Sequence, residues 1–378
     1  MTGSSAPSAD DRAVKRARLL AILDERDAES LVLSSHGALA WYLDGARTHT
    51  SLMGDPVLQV RVDREGDAVS AFSNEAARLL AEELPSGIEV STVPWFGALG
   101  DGFADSAGAG AGAGAGAAGS GSAGPRSLVE SDIAAELRAA RASLLPAELS
   151  RYRALCIDAA EVMTDALAAA SPGQSERALA ASVGAGLLER GADPLVLMVS
   201  GPARAGYRHP LPGDEPVGSR AMVVACARRH GMIANITRWV SFGAPAASPG
   251  SGDRAEAERR ILEVEAAFFD ATTAGATLAS AFEAGCAAYG QAGFAADEWR
   301  NHHQGGAAGY NGRDPRATSR VPDLIQLNQA FAWNPSAPGA KIEDTVLLGP
   351  SGIESLTVDP RWPTVQHAGR ARPAELRL

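Results

Sequence analysis

The chain has 378 residues, 46% of them hydrophobic and 21% charged, with a formal net charge of −11. It is long enough for two domains and apolar enough to give each a buried core. The acidic balance gives no support to a nucleic-acid or anionic-membrane partner, since either needs a basic face. Three cysteines, Cys156, Cys226 and Cys286, are odd in number and far apart. They suggest neither a disulfide framework nor a zinc knuckle. The opening MTGSSAPSADDRAVKRARLL lacks the apolar stretch of a secretory signal. No run approaches the roughly 18 apolar residues of a membrane span. The cytoplasm is the expected compartment.

Residues 1–10 read as a disordered tail. A helix is expected from Asp11 to Arg26, with Leu19, Leu20, Ile22 and Leu23 on one face. SLVLSS (30–35) reads as a buried strand, and GALAWYLDG (37–45) as a short helix closed by Gly45. Two apolar runs around Arg-Glu-Gly-Asp in residues 57–73 predict a hairpin. A helix over Asn74 to Leu84 and a strand at 88–95 complete an α/β domain spanning 11–140. Within it, 106–125 is an Ala-Gly run with no large side chain. It cannot bury enough apolar area to offset its ordering entropy, and it predicts a flexible insertion.

Helices are expected at Leu128 to Leu145, at 146–170 with Pro146 and Glu148 in the first turn, and at 171–192. Strands follow at 195–200, 221–227 and 231–243, then helices over Asp253 to Thr273 and Ala276 to Ala292. The remainder to 360 is β-rich, and 361–378 reads as a C-terminal tail.

Four segments of the second domain occur in a telling order. They are SGPARAGYRHPLPGD (200–214), VVACARRHGMIANITR (223–238), HHQGGAAGY (302–310) and WNPSAPGAKIEDTVLL (333–348). Together they resemble the pita-bread superfamily of methionine aminopeptidase, Xaa-Pro aminopeptidase, prolidase and creatinase. Upstream, AWYLDGARTHTS, the helix from Asn74 and Pro94-Trp95 resemble the N-terminal domain of its creatinase and Xaa-Pro peptidase branch. The fold implied is α/β (α+β in detail): a creatinase-like N-terminal domain, then a pita-bread domain over 146–360. The resemblance also implies a homodimer and a small-molecule or short-peptide substrate.

The metal ligands implied by that resemblance are two Asp, one His and two Glu, mostly carboxylates because paired divalent ions need anionic oxygens. Here the second Asp is replaced by Asn235. The first, eleven residues earlier in the pattern, falls on Val224. The Glu of E-P-G is replaced by Asn334. Glu343 remains, with one of His302 or His303, while the family's second His falls on Gly306 or Ala307. No metal cofactor is therefore expected; the alternative is one weakly bound divalent metal on a His/Glu site.

Creatinase, by resemblance, hydrolyses a C–N bond without metal, using a His as acid and base and carboxylates to grip a cationic substrate. His209 and Glu343 are the corresponding catalytic candidates. The partner of Glu343 would be a substrate ammonium or guanidinium, Arg238 or Lys341. Asn235, Arg238, His302, His303, Asn334 and Tyr310 are candidate substrate contacts. Arg47 joins them because relatives reach a residue from this region into the partner subunit's site. Tyr207, Arg208 and Arg313 are further contacts without an assigned role, and Cys226 reads as a buried, inert thiol. Three functions stay open: a metal-independent hydrolase of a small amine, amide or guanidino compound; a non-catalytic ligand-binding pseudoenzyme; and an Xaa-Pro aminopeptidase or dipeptidase with a reduced metal site.

Overall fold

Residues 9–103, 126–243 and 251–378 are described by the computed structural model. They divide into two units, Met1–Arg141 and Ala142–Leu378. The first unit begins with α1 (Ala9–Glu25), whose buried face carries Leu19, Ile22 and Leu23. Ala9 and Asp10 are helical rather than part of a tail. β1 (Ser30–Leu33) leads into α2 (His36–Tyr42), where the Ser35 hydroxyl caps the helix by accepting from the Ala38 N–H. β2 (Leu58–Asp63) and β3 (Asp67–Phe72) form the expected hairpin. In β2, buried Leu58, Val60 and Val62 alternate with half-buried Gln59, Arg61 and Asp63, the period of a one-sided strand.

Two elements differ from expectation. The segment after Asn74 forms only a short α3 (Ala76–Arg78) and a π-helical turn through Glu83 before β4 (Glu89–Val93). Residues Ser127–Val129, of which Leu128 and Val129 are expected to open a helix, form β5 and pair in parallel with β1. Their extended state comes from that long-range pairing, which no local pattern announces. The sheet order is β4-β3-β2-β1-β5, and α4 (Ala134–Ala142) ends at the unit boundary. The Ala-Gly run 106–125 and residues 1–8 lie outside the described residues.

The second unit starts with α5 (Pro146–Ala168). The Glu148 carboxylate accepts from the Leu145 N–H at 2.8 Å, filling one orphan donor at the helix start. α6 (Glu176–Glu189) starts later than the Pro-Gly suggests, because the Ser175 hydroxyl is the cap. Three antiparallel strands follow: β6 (Asp193–Ser200), β7 (Arg220–Arg229) and β8 (Met232–Ser241). His230 and Gly231 both take positive φ (51° and 77°), as a two-residue hairpin turn of the right twist requires.

After α7 (Ser251–Ala271) and α8 (Leu278–Gln291) come β9 (Gly305–Ala308), β10 (Gln329–Trp333), β11 (Ser336–Ala337), β12 (Ala340–Lys341), β13 (Glu343–Asp344), β14 (Val346–Gly349) and β15 (Gly352–Ser355). One sheet runs β13-β8-β7-β6 and another β15-β14-β10-β9, both antiparallel. Phe331 and Trp333 of β10 pack with Phe268, whose ring stacks on Trp333 at 4.5 Å, in a core shared with Phe282 and Tyr289 of α8.

Residues 361–378 are not a tail. They form β16 (Thr364–His367), β17 (Arg370–Pro373) and β18 (Leu376–Arg377), the last pairing in parallel with β8. Their polar composition hid this, because the anchor is a charge. Arg372 is buried, and it donates to Glu265 on α7 (Nε at 2.7 Å) and to Asp344 (Nη2 at 2.8 Å). Asp344 also accepts from Arg238 at 2.8 Å and Thr357 at 2.6 Å.

Removing one member of such a buried network strands the others' charges. Asp344→Ala should cost about 3–5 kcal/mol in urea unfolding, and Asp344→Asn less. A loss below about 1 kcal/mol for the alanine variant would show that the network does not hold the last strands.

Candidate active site

Register on the β7–β8 hairpin places Cys226 opposite Asn235, so both side chains share one face of the sheet. Val224, two residues along, shares it too. The Asn235 backbone is fixed from both ends by one hydroxyl: its N–H donates to Thr345 Oγ1 at 2.7 Å, and that hydroxyl donates to its carbonyl at 3.1 Å. β13 pairs Glu343 with Thr237, and the Thr237 hydroxyl donates to Glu343 Oε2 at 3.1 Å. Alternation along the strand turns Asp344 to the opposite face, where Arg238 meets it. Arg238 is thus a partner of Asp344 and not of Glu343.

The cation that meets Glu343 is Arg313. Its Nη2 donates to Glu343 Oε1 at 2.5 Å and its Nη1 to Asn235 Oδ1 at 2.8 Å. Glu343 is 1% exposed, and the Arg313 side chain is partly buried. The guanidinium spans two positions at which the family resemblance implies metal ligands. What brings it there is the backbone at Gly305 and Gly306, with φ of 93° and 140°. A Cβ on Gly306 would lie 2.6 Å from both the Ala317 nitrogen and the Pro315 carbonyl oxygen. Its absence lets residues 312–317 lie against β9, held by Asp314 N–H to Ala307 carbonyl (2.8 Å) and Ala317 N–H to Gly305 carbonyl (2.9 Å).

Lys341 also approaches Glu343, with Nζ 3.9 Å from Oε2. Lys341 is buried as a residue. Burial lowers its pKa against the opposing pull of Glu343, with Arg313 and Arg208 adding to the decrease. Asn334 is buried with its Oδ1 unpartnered among the described residues, while its N–H donates to the Gln304 carbonyl at 3.1 Å. Burial pushes the Cys226 thiol up to about 12, which makes it unreactive at neutral pH.

Three imidazoles gather beside these groups. His209, exposed on the loop after β6, places Nε2 3.1 Å from His302 Nε2, and the His302 and His303 rings stack at 4.5 Å. Both ring candidates of the HHQGG segment therefore join His209, and the three offer nitrogen atoms within 4.8 Å of one another. Gln304 steadies the backbone here: its amide donates to the carbonyls of His302 (2.7 Å) and Trp299 (2.9 Å) and accepts from the Tyr289 hydroxyl (2.7 Å). Burial first, then Lys341, pushes His302 down to about 2. Burial and Arg313 push His303 down to about 3. His209 is lowered by burial and Lys341, against Glu343. All three rings are therefore neutral near pH 7, able to accept a proton at one nitrogen and donate at the other.

Other anticipated contacts lie elsewhere. The Tyr310 hydroxyl donates to Glu148 of α5 at 2.5 Å, so it serves the helix start. Arg47 belongs to the first unit, where it bonds Glu83 (Nε at 2.5 Å) and Glu82. Arg208 donates to Glu298 and to Ser336. A cavity of about 260 Å³ borders the site at Thr237 and Lys341 and continues between α7 and residues 365–375. The role of Arg313 was not assigned from sequence. The signal available was Gly306, a position without a side chain in a segment where the resemblance puts one.

Burial of His302 and His303 as neutral rings predicts a pH effect. Unfolded, each takes a proton near 6.5. Between that value and about 2–3 the unfolded chain binds more protons, so stability falls as pH drops below about 6.5 and is unaffected by these rings above it. Glu258, raised to about 7 mainly by burial, works in the opposite sense. The comparison is therefore with a variant: the urea midpoint should fall less between about pH 6.5 and about pH 5 in the His302→Gln/His303→Gln protein than in the wild type. Identical slopes would mean the rings are not held neutral.

Sequence and structure comparisons give the following. A family model described as metallopeptidase family M24 matches residues 150–350. Among solved structures, a recombinant prolidase from Thermococcus sibiricus is 16% identical with a TM-score of 0.74, covering 98% of this chain and 100% of that one. Dipeptidase PepE from Mycobacterium ulcerans is 19% identical with a TM-score of 0.69, covering 98% and 99%. The N-terminal domain of FACT complex subunit SPT16 from Cicer arietinum is 12% identical with a TM-score of 0.62, covering 92% and 97%. At these identities the likeness is one of fold, the expected creatinase-like domain and pita-bread domain. No curated protein matches the chain.

Proposed function

Since the chain belongs to metallopeptidase family M24, we propose that it uses the family's cleft without the family's metal pair, as a hydrolase of a C–N bond in a small amine, amide or guanidino compound. One observation carries this reading: the Arg313 guanidinium bonds both Asn235 and Glu343. Two divalent ions need several anionic oxygens around them. The corresponding positions here offer an aliphatic Val224, two neutral amides and a carboxylate already neutralised by Arg313. These donors do not fit a dinuclear centre, and no step is routed through one.

His209 is the acid and base of the proposed reaction. One neutral ring nitrogen takes a proton from water as the water oxygen bonds to the substrate carbon. The same ring then delivers a proton to the nitrogen that leaves as the C–N bond breaks. His302, hydrogen-bonded to His209 through Nε2, orients that ring and fixes its tautomer. Asn334, whose Oδ1 has no partner among the described residues, holds substrate as a neutral acceptor, while Asn235 is occupied by Arg313 and the Ile233 carbonyl.

A second reading has its own support. The three imidazoles suit a single borderline ion such as Zn²⁺, which would return the protein toward the dipeptidases it resembles in fold. Against it stand Lys341 and Arg313, whose charges depress the pKa of these rings and would repel a cation equally. A non-catalytic role is the third, and the fold's occurrence in a FACT complex subunit supports keeping it in view.

The purified protein should carry well below one equivalent of divalent metal by elemental analysis, and chelator should leave its melting temperature unchanged. Turnover on a panel of small amides, guanidino compounds and Xaa-Pro dipeptides should fall about 10²–10⁴-fold in His209→Ala, with stability little altered because the residue is exposed. Stoichiometric metal, together with metal-dependent cleavage of Xaa-Pro, would replace this reading by the peptidase. Wild-type rates in His209→Ala would remove His209 from the mechanism.

A further inference from the structure

The chain has six asparagines, and Asn311 alone is followed by glycine. An asparagine side-chain carbonyl is open to attack by the backbone nitrogen of the next residue, and a Cβ on that residue obstructs the approach. Asn334 precedes Pro335, which has no N–H to lose. Asn235 and Asn328 precede Ile236 in β8 and Gln329 in β10, where strand pairing fixes the backbone. Asn311 and Gly312 lie between β9 and β10, in no helix or strand. Gly312 is exposed, and a Cβ built on it meets nothing within 4 Å. None of the backbone hydrogen bonds among the described residues uses its N–H.

We infer that Asn311-Gly312 is a site of covalent self-modification in the folded protein, with water as the only co-reactant, and that the change loosens the loop holding Arg313 against Glu343. The Gly312 nitrogen bonds to Asn311 Cγ as the Cγ–Nδ2 bond breaks, and ammonia leaves with the Gly312 proton. Water then opens the cyclic imide. Addition at Cγ gives aspartate. Addition at the main-chain carbonyl gives isoaspartate, whose backbone runs through Cβ and Cγ and is longer by one methylene. Either product is a carboxylate where an amide stood. The Asn311 amide donates to Asp314 Oδ1 at 3.2 Å, so the product sets two anions against each other. Asp314 is also where the loop is fastened to β9, through its N–H to the Ala307 carbonyl at 2.8 Å. Arg313 stands between the two residues, and its guanidinium reaches Asn235 and Glu343 from there. The new charge competes for that guanidinium, and the extra methylene shifts the backbone that aims it. The modification is independent of the reaction proposed above, since it needs only the loop and water.

The test ages the full chain in mildly alkaline buffer under folding conditions. Acid formed at each asparagine is followed by peptide mapping with fragmentation, and isoaspartate by enzymatic methyl labelling. Asn311 should convert first of the six, and Gly312→Ala should slow it about tenfold or more. The alanine is accommodated, because its Cβ has open space. Aged wild-type protein should melt below the fresh sample, while aged Gly312→Ala should match its own fresh sample. Asn311→Asp adds the charge without the methylene and should show part of the same loss. Conversion of Asn311 only after unfolding in urea, or at an equal rate in Gly312→Ala, overturns the inference. Full conversion with an unchanged melting temperature in both the aged wild type and Asn311→Asp removes the loosening of the Arg313 loop and overturns that half of it.

Discussion

A carboxylate shut away from water needs a cation or a proton, and the second unit is organised around how Glu343 obtains one. Its counter-ion is Arg313, delivered by a loop rather than taken from solution. Burying the pair costs desolvation on both sides, and only good geometry repays it. Here the repayment is visible: two hydrogen bonds from the guanidinium fork, one to Glu343 and one to Asn235, with a third bond to Glu343 from Thr237.

The same strand serves two charge networks. Glu343 looks to the site, and Asp344, its neighbour, ties Arg238, Thr357 and Arg372 together on the other face. Through Arg372 the final strands are anchored to α7, and through β18 they extend the sheet that carries Asn235. Chemistry and scaffold therefore share two adjacent residues of β13. On the proposed reading a change at Glu343 acts on the site, while a change at Asp344 acts on the fold, although the two are contiguous.

Much of the fold was legible because local rules decide it. The hairpin of β7 and β8 declares itself through apolar runs around His230-Gly231, and the ordered motifs gave the superfamily. The helices α5, α7 and α8 follow from apolar spacing and end residues, as with Thr277, whose hydroxyl caps α8. Illegible elements depended on distant partners. β5 is a strand because β1 is there, and residues 361–378 are structured because Glu265 and Asp344 pair with Arg372. In the site, substitutions at 224, 235 and 334 could be read one at a time. What replaced the missing charge could not, since Arg313 is distant in sequence from Asn235 and Glu343 and enters only through close packing on Gly306. Arg238 misled for a related reason: adjacency to Thr237 suggested the site, and strand alternation turned it away.

An ion held by ligands has a dissociation constant, but Arg313 does not dissociate. It is present at an effective concentration fixed by its own loop, and it cannot be chelated or exchanged. A cleft charged in this way has no unloaded state. The pair of Arg313 and Glu343 is complete as soon as the chain has folded. The arrangement is also hard to reverse by small steps. A single acidic substitution at Asn235 would meet a resident cation before it met a metal, and would strengthen the ion pair instead of rebuilding a metal site.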